Sequence, residues 1–288
     1  MQPDTARESR SQKGFVERLA AIDRRIIFVI IAVVVAVPVL YPIALPVLVS
    51  PPVQDLYNAI DALPPDSVII MAIDFDPTSE PELYPAFLAV ARHAFSKGLK
   101  IVALGYIAPG IPIGERGLRV AAEEYSKEYG VDYVNLGYKT GMTVALLMMG
   151  KQIRDPYPQD HYGTPVGELP LMRRVHSFRD IALAVDFAHG VTPDYWIAYA
   201  GARFGLRVGL CATGVMTSQY YPYYDSGQLF GLLGGLKGSS EYEALIGTPG
   251  SATMGMTAQS LAHLVIMAFI IIANLSYFIV RRRSSAVR

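Results

Sequence analysis

Two long stretches without a charged side chain, residues 26–49 and 261–280 of a 288-residue chain, constrain this sequence more than anything else in it. A bilayer's hydrocarbon core is roughly 30 Å thick, and about 20 apolar residues in a helix cross it. At 24 and 20 residues, both runs meet that length. The second stops against Arg281, Arg282 and Arg283, and the first follows a leader carrying Arg7, Arg10, Lys13, Arg18, Arg24 and Arg25. Basic flanks stay on the cytoplasmic side. The expectation is therefore a two-pass inner-membrane protein with both termini cytoplasmic and the central domain extracytoplasmic.

Charge agrees with that topology. The chain has 25 basic and 25 acidic residues, of which 15 basic and 21 acidic fall in 51–260. An acidic centre between basic ends is what this arrangement predicts, and a net charge of zero gives no reason to expect nucleic acid as a partner. The first run is too long for the apolar part of a cleaved signal peptide and no A-x-A site follows, which favours an uncleaved anchor. It carries Pro38, Pro42 and Pro46, four apart and so on one helix face. In the second run His263 and Asn274 are eleven residues apart, three turns, and share a face that packs on a neighbouring helix.

Between the runs, short apolar segments alternate with helical patterns. Continuous runs such as Ser67–Ile73 suit strands buried on both faces. Segments such as Glu80–Lys97, with Leu83, Phe87, Val90 and Ala94 at helical spacing, suit the covering helices. The pattern predicts an α/β fold: a doubly wound, Rossmann-like parallel sheet of about five strands, flanked by two transmembrane helices. The implied organisation is a basic segment at 1–25, a span at 26–49 and a proline-rich linker at 50–65. The α/β domain follows at 66–246, then a linker at 247–260, a span at 261–280 and a basic tail at 281–288. Strands are expected at 67–73, 100–107, 131–136, 181–187 and 207–212, with a last helix at 226–246. The connection 155–179 exceeds the usual length and is expected to be functional or mobile.

Ligands of such sheets bind at the carboxyl ends of the strands. Asp74 and Asp76 follow the first strand, Tyr106 the second, and Lys139 the third; Asp186 and His189 belong to the fourth and Cys211 to the fifth. The run D-F-D-P-T at 74–78 resembles the nucleophile motif of the haloacid-dehalogenase superfamily. That resemblance implies Asp74 as nucleophile, Asp76 as general acid, Lys139 as the neutralising lysine and magnesium as the clamp. It covers five residues, and the second strand lacks the Ser or Thr that the family places there. The competing reading has Asp74 ending a strand and Asp76 capping a helix. His189-Gly190 and Cys211 resemble the histidine and cysteine of caspase-like peptidases, in which the histidine activates the thiol. The surrounding L-C-A-T-G lacks that family's usual cysteine context. One cysteine excludes an intrachain disulfide, and neither metal-ligand spacing nor a phosphate-binding loop is present, so no cofactor is expected.

Two further features point to association. Tyr220, Tyr221, Tyr223 and Tyr224 crowd a segment read as a loop, and tyrosine is enriched at interfaces. Gly227, Gly231 and Gly235 repeat at four-residue spacing in the expected last helix, where each glycine costs about 1 kcal/mol relative to alanine. They are expected to bring that helix against another copy or another subunit. The functional expectation is a binding and assembly subunit of a membrane complex, oligomeric, with the bilayer and other membrane subunits as partners. A membrane-tethered hydrolase is the alternative.

Overall fold

The computed structural model describes residues 23–41 and 47–285, with side chains through Ile279. Described residues 47–256 belong to one compact unit; residues 23–41 and 257–285 belong to a second.

The first unit is built on six parallel strands: β1 (Val68–Asp74), β2 (Lys100–Gly105), β3 (Tyr133–Tyr138), β4 (Leu183–Ala188), β5 (Val208–Ala212) and β6 (Leu232–Gly234). Their order is β3-β2-β1-β4-β5-β6, with every neighbouring pair parallel. All seven residues of β1 are buried, as are all six of β4 and all five of β5. Burial on both faces is why these segments read as unbroken apolar runs. The fold is a Rossmann-like α/β architecture.

One face carries Ile69, Met71, Ile73, Val185, Phe187 and Cys211. It is covered by α2 (Pro51–Asp61), α3 (Glu80–Ser96), α4 (Ile111–Glu124) and α8 (Gly235–Leu245). Between α2, α3 and α8, His93 stacks on Tyr57 with ring centroids 4.5 Å apart, and its Nδ1 lies 2.7 Å from the Tyr242 hydroxyl. The other face, with Ile70, Ala72, Leu104, Ala184 and Leu210, meets α5 (Met142–Met149), α6 (Thr192–Tyr195) with the π-helix Trp196–Ala202 that continues it, and α7 (Gly214–Asp225).

Several sequence expectations are corrected. The segment expected to be functional or mobile, 155–179, is folded as turns and short 3-10 helices. Its Tyr157, Val166, Leu171, Met172, Val175 and Phe178 are buried, completing the face that the eight-residue α5 is too short to cover. The linker expected at 50–65 contains α2, started by Pro51 and Pro52 at positions where a helix needs no N–H. Residues 251–260 of the second expected linker already belong to α9 (Ser251–Ser285). The tyrosines lie on α7, where Tyr220 is buried and Tyr224 bonds Asp55.

The expected helix 226–246 is a turn, then β6, then α8, so the sheet gains a sixth strand. Gly231 faces the backbone of Leu56: a Cβ there would sit 2.6 Å from the Leu56 Cα. Gly235 adopts φ +53° and would press a Cβ to 2.8 Å from the Gly214 nitrogen. Gly227 adopts φ +75° in the turn after α7. These glycines serve turns and close packing within the domain, not a helix face presented to a partner.

The second unit also departs from expectation. Helix α1 (Arg24–Leu40) contains 17 residues, about 25 Å at 1.5 Å per residue, and Tyr41 is extended. Pro42 and Pro46 lie outside the described residues. Among the described residues one helix, not two, is long and apolar enough to cross a membrane: α9, over Ser251–Ile279. His263 and Asn274 are both exposed along it, and the Asn274 amide bonds the Ile270 carbonyl of its own helix.

Candidate functional site at the carboxyl edge of the sheet

The strand order reverses between β1 and β4, which run side by side although two strands separate them in the chain. In open α/β sheets that switch point is where ligands bind. Register then decides which side chains meet there. Ala72 pairs with Asp186 and Asp74 with Ala188, so Asp74 and Asp186 project to the same face on adjacent strands, two residues offset. Both carboxyls are buried, Asp74 at 0% and Asp186 at 1% exposure.

Two buried carboxylates this close cannot both be charged without a large penalty. Asp74 accepts from the Tyr106 backbone N–H at 2.6 Å and from the Trp196 indole N–H at 3.1 Å. Both donors favour its charged form, yet burial outweighs them and raises its pKa from 3.8 to about 6. Asp186 has less help: the Thr192 hydroxyl donates to Oδ2 at 3.3 Å, and Oδ1 has no acceptor-type bond at all. Burial first, then the charge of Asp74, pushes its pKa well above the usual range. Burial and the charge of Asp74 thus favour the protonated form of Asp186, whose Oδ1 has no hydrogen-bond partner.

The surrounding groups close this pair in. Tyr106 and Trp196 pack with ring centroids 6.2 Å apart. The Tyr106 hydroxyl reaches the Met149 sulfur at 3.7 Å, and burial pushes its pKa well up. Tyr157, from the 155–179 connection, is buried beside it, with Lys139 Nζ 6.0 Å from its ring. Trp196 was not foreseen from sequence; the signal was there, since it is the lone tryptophan and sits four residues into the helix that follows β4. It opens the π-helix, a distortion often found at functional sites.

At the rim, His189 Nδ1 lies 3.3 Å from the Asp74 carbonyl and its Nε2 3.6 Å from the Asp76 carboxylate. The Asp76 Oδ1 accepts from the Thr78 N–H, the Thr78 hydroxyl and the Ser79 N–H, at 2.6 to 3.2 Å. Those bonds hold its pKa below the usual carboxylate value. Asp76 is thus held as the turn that leads into α3, the capping role weighed against the phosphatase motif. Asp74 lies on the same edge, but both its oxygens are committed and water is excluded.

The peptidase pair does not converge. Cys211 pairs with Phe187 on the opposite face of the sheet from Asp186 and is fully buried, which pushes its thiol pKa well up. His189 instead turns to Asp74 and Asp76. Among the described residues no three His, Cys, Asp or Glu side chains are placed to hold a metal ion. Three grooves among the described residues lie away from the two aspartates. One of about 310 Å³ is lined by Ile197, Arg207, Val208 and Phe230 at the amino end of β5. No family model, curated protein or solved structure matches this chain.

Proposed function

We propose that the protein is a membrane-anchored α/β binding and assembly subunit, held by α9, with its domain on the extracytoplasmic side. One observation carries the reading: the helix long enough to cross a membrane starts inside the domain. The buried carboxylate of Glu243 accepts from the N–H groups of Gly250, Ala252 and Thr253 and from the Thr253 hydroxyl, at 2.6 to 3.1 Å. An anion at a helix N-terminus stabilises the helix, so Glu243 ties α9 to α8. The first turn of α9 is thereby fixed within the domain. The Arg281–Arg283 triplet assigns the far end of α9 to the cytoplasm. The switch-point groups favour binding over turnover, since Asp74, Asp76 and Cys211 are each spent on holding the fold. Association with copies of itself or with other membrane subunits belongs to this reading, as does a cytoplasmic N-terminus.

Two measurements test it. In right-side-out vesicles, a cysteine at Tyr162 reacts with an impermeant maleimide, whereas one at Ser285 reacts only after permeabilisation; a cysteine at Lys13 reads the N-terminal side. Reversed labelling of 162 and 285 overturns the topology. Mild-detergent purification with light scattering is expected to return a stoichiometric complex. A monomer that turns over a substrate, and loses that turnover in Asp74→Asn, would put the hydrolase in its place.

A further inference from the structure

The ends of the domain's strands differ in chemistry. Beside the amino ends runs a groove lined by Asp66, Arg174, Arg179 and Asp180. Just past the carboxyl ends stand exposed apolar side chains: Tyr138 closing β3, Val144 at the start of α5, Val191 after β4 and Val215 after β5. The last two are 65% and 87% exposed. A valine so exposed at the head of a strand–helix connection contributes nothing to the core.

Chain connectivity indicates what meets this edge. Gly235 packs on Gly214 at the end of β5, and the Gly214 N–H donates to Glu82 at the start of α3, so these residues belong to the carboxyl edge. Leu236 follows directly, and a Cβ on Gly255 would touch the Leu236 side chain at 2.8 Å. The first turns of α9 therefore run from Glu243 back along α8 and reach the carboxyl edge at Gly255. The domain's last residue is Met256, and the uncharged run begins at Leu261. The four residues between them span about 8 Å as helix and no more than about 18 Å fully extended. Strands of six residues are about 20 Å long, so this connection, which leaves the domain at the carboxyl edge, is no longer than the sheet is tall.

We propose that the carboxyl edge of the sheet, through Tyr138, Val144, Val191 and Val215, rests in the headgroup–acyl boundary of the bilayer that α9 enters. The switch-point rim at Asp76 and His189 then faces the membrane, and whatever it binds arrives along that surface. Tyrosine and the half-buried Lys139 beside it suit that depth, the one with an apolar ring and polar tip, the other with a long stem and a charge for lipid phosphate. The inference rests on the anchoring role of α9. Its test separates the two.

Single cysteines are placed at Val191 and Val215, at Val131 beside the amino end of β3, and at Ile270 within α9. Each carries an environment-sensitive fluorophore in the full chain reconstituted into phosphatidylcholine–phosphatidylglycerol vesicles, with the unsubstituted protein controlling for the buried Cys211. Nitroxide lipids with shallow or deep spin labels then quench by depth. Loss of fluorescence at 191 and 215 with shallow labels, at 270 with deep labels, and none at 131 is the expected result. If 270 is quenched while 191 and 215 behave like 131, the edge faces water and the proposal is overturned. If 270 is not quenched either, the anchoring reading falls and the proposal falls with it. Circular dichroism in the same vesicles confirms that each labelled protein is folded.

Discussion

Asp74 and Asp186 are the residues at which the same chemical group has two different jobs. Asp74 accepts two N–H bonds, whereas burial favours the neutral form of Asp186, so the two are not equivalent under substitution to asparagine. In Asp186→Asn a neutral amide replaces a carboxyl already favoured as neutral, and stability at neutral pH is expected to change by less than about 1 kcal/mol. In Asp74→Asn the amide nitrogen must face the Tyr106 or Trp196 N–H, and a loss of roughly 1–3 kcal/mol is expected. Urea unfolding of both variants checks this. The pH dependence follows from the direction of the shifts. Between the ordinary value of 3.8 and about 6, folded Asp74 binds more proton than unfolded Asp74, so its contribution falls as pH rises through that window. Asp186, also raised by burial, adds to the fall as pH rises above its ordinary value. Asp186→Asn should remove that addition. His93 opposes this trend: burial lowers its pKa, so its contribution grows as pH rises towards 6.5. Differences between wild type and variant cancel it.

At the scale of elements, the glycines and Glu243 decide how β6, α8 and α9 fit together. Gly231→Ala brings a methyl into the backbone of Leu56, which cannot yield as a flexible side-chain tip would. A destabilisation of about 1–3 kcal/mol, the usual cost of overpacking, is expected with no specific loss of association. Loss of assembly with unchanged stability would return that glycine to an interface. Glu243→Ala removes four bonds at the start of α9 and leaves three backbone donors without that partner. Hydrogen exchange across 250–256 is expected to speed up while the centre of the sheet stays protected. Equal exchange in variant and wild type would show that the clamp contributes nothing.

For the molecule as a whole, the two apolar layers of the α/β domain include no residue of α1 or α9 among the described residues. Those layers run from Val53 to Tyr242. A fragment of residues 47–256 is therefore expected to fold cooperatively in water, by calorimetry and circular dichroism, and to appear in the soluble fraction. The full chain is expected to resist carbonate extraction. A fragment that is unfolded, or folded only with detergent, would make the membrane part of the fold.

The sheet was largely legible because strands buried on both faces need mostly apolar residues, and β1, β2, β4 and β5 obey that rule but for Asp74 and Asp186 at the switch point and Lys100 at the start of β2. The apolar stretch of α9 was legible for the same kind of reason, since the length and hydropathy that would let a helix cross a membrane are read directly from the sequence. β6 was not, because three residues in a glycine-rich run carry no period, and only their pairing with Leu210, Cys211 and Ala212 makes them a strand. The register of glycines suggested a contact face, but spacing along a chain cannot tell which backbone approaches; in the folded domain it is Leu56 of α2. Asp74, Asp186 and His189 were each visible as strand-end residues. That Asp74 and Asp186 project to one face while Cys211 lies on the other depends on which strands are neighbours and in what register. Burial and local pattern are properties of the sequence; adjacency across β1 and β4 arises only when the sheet closes.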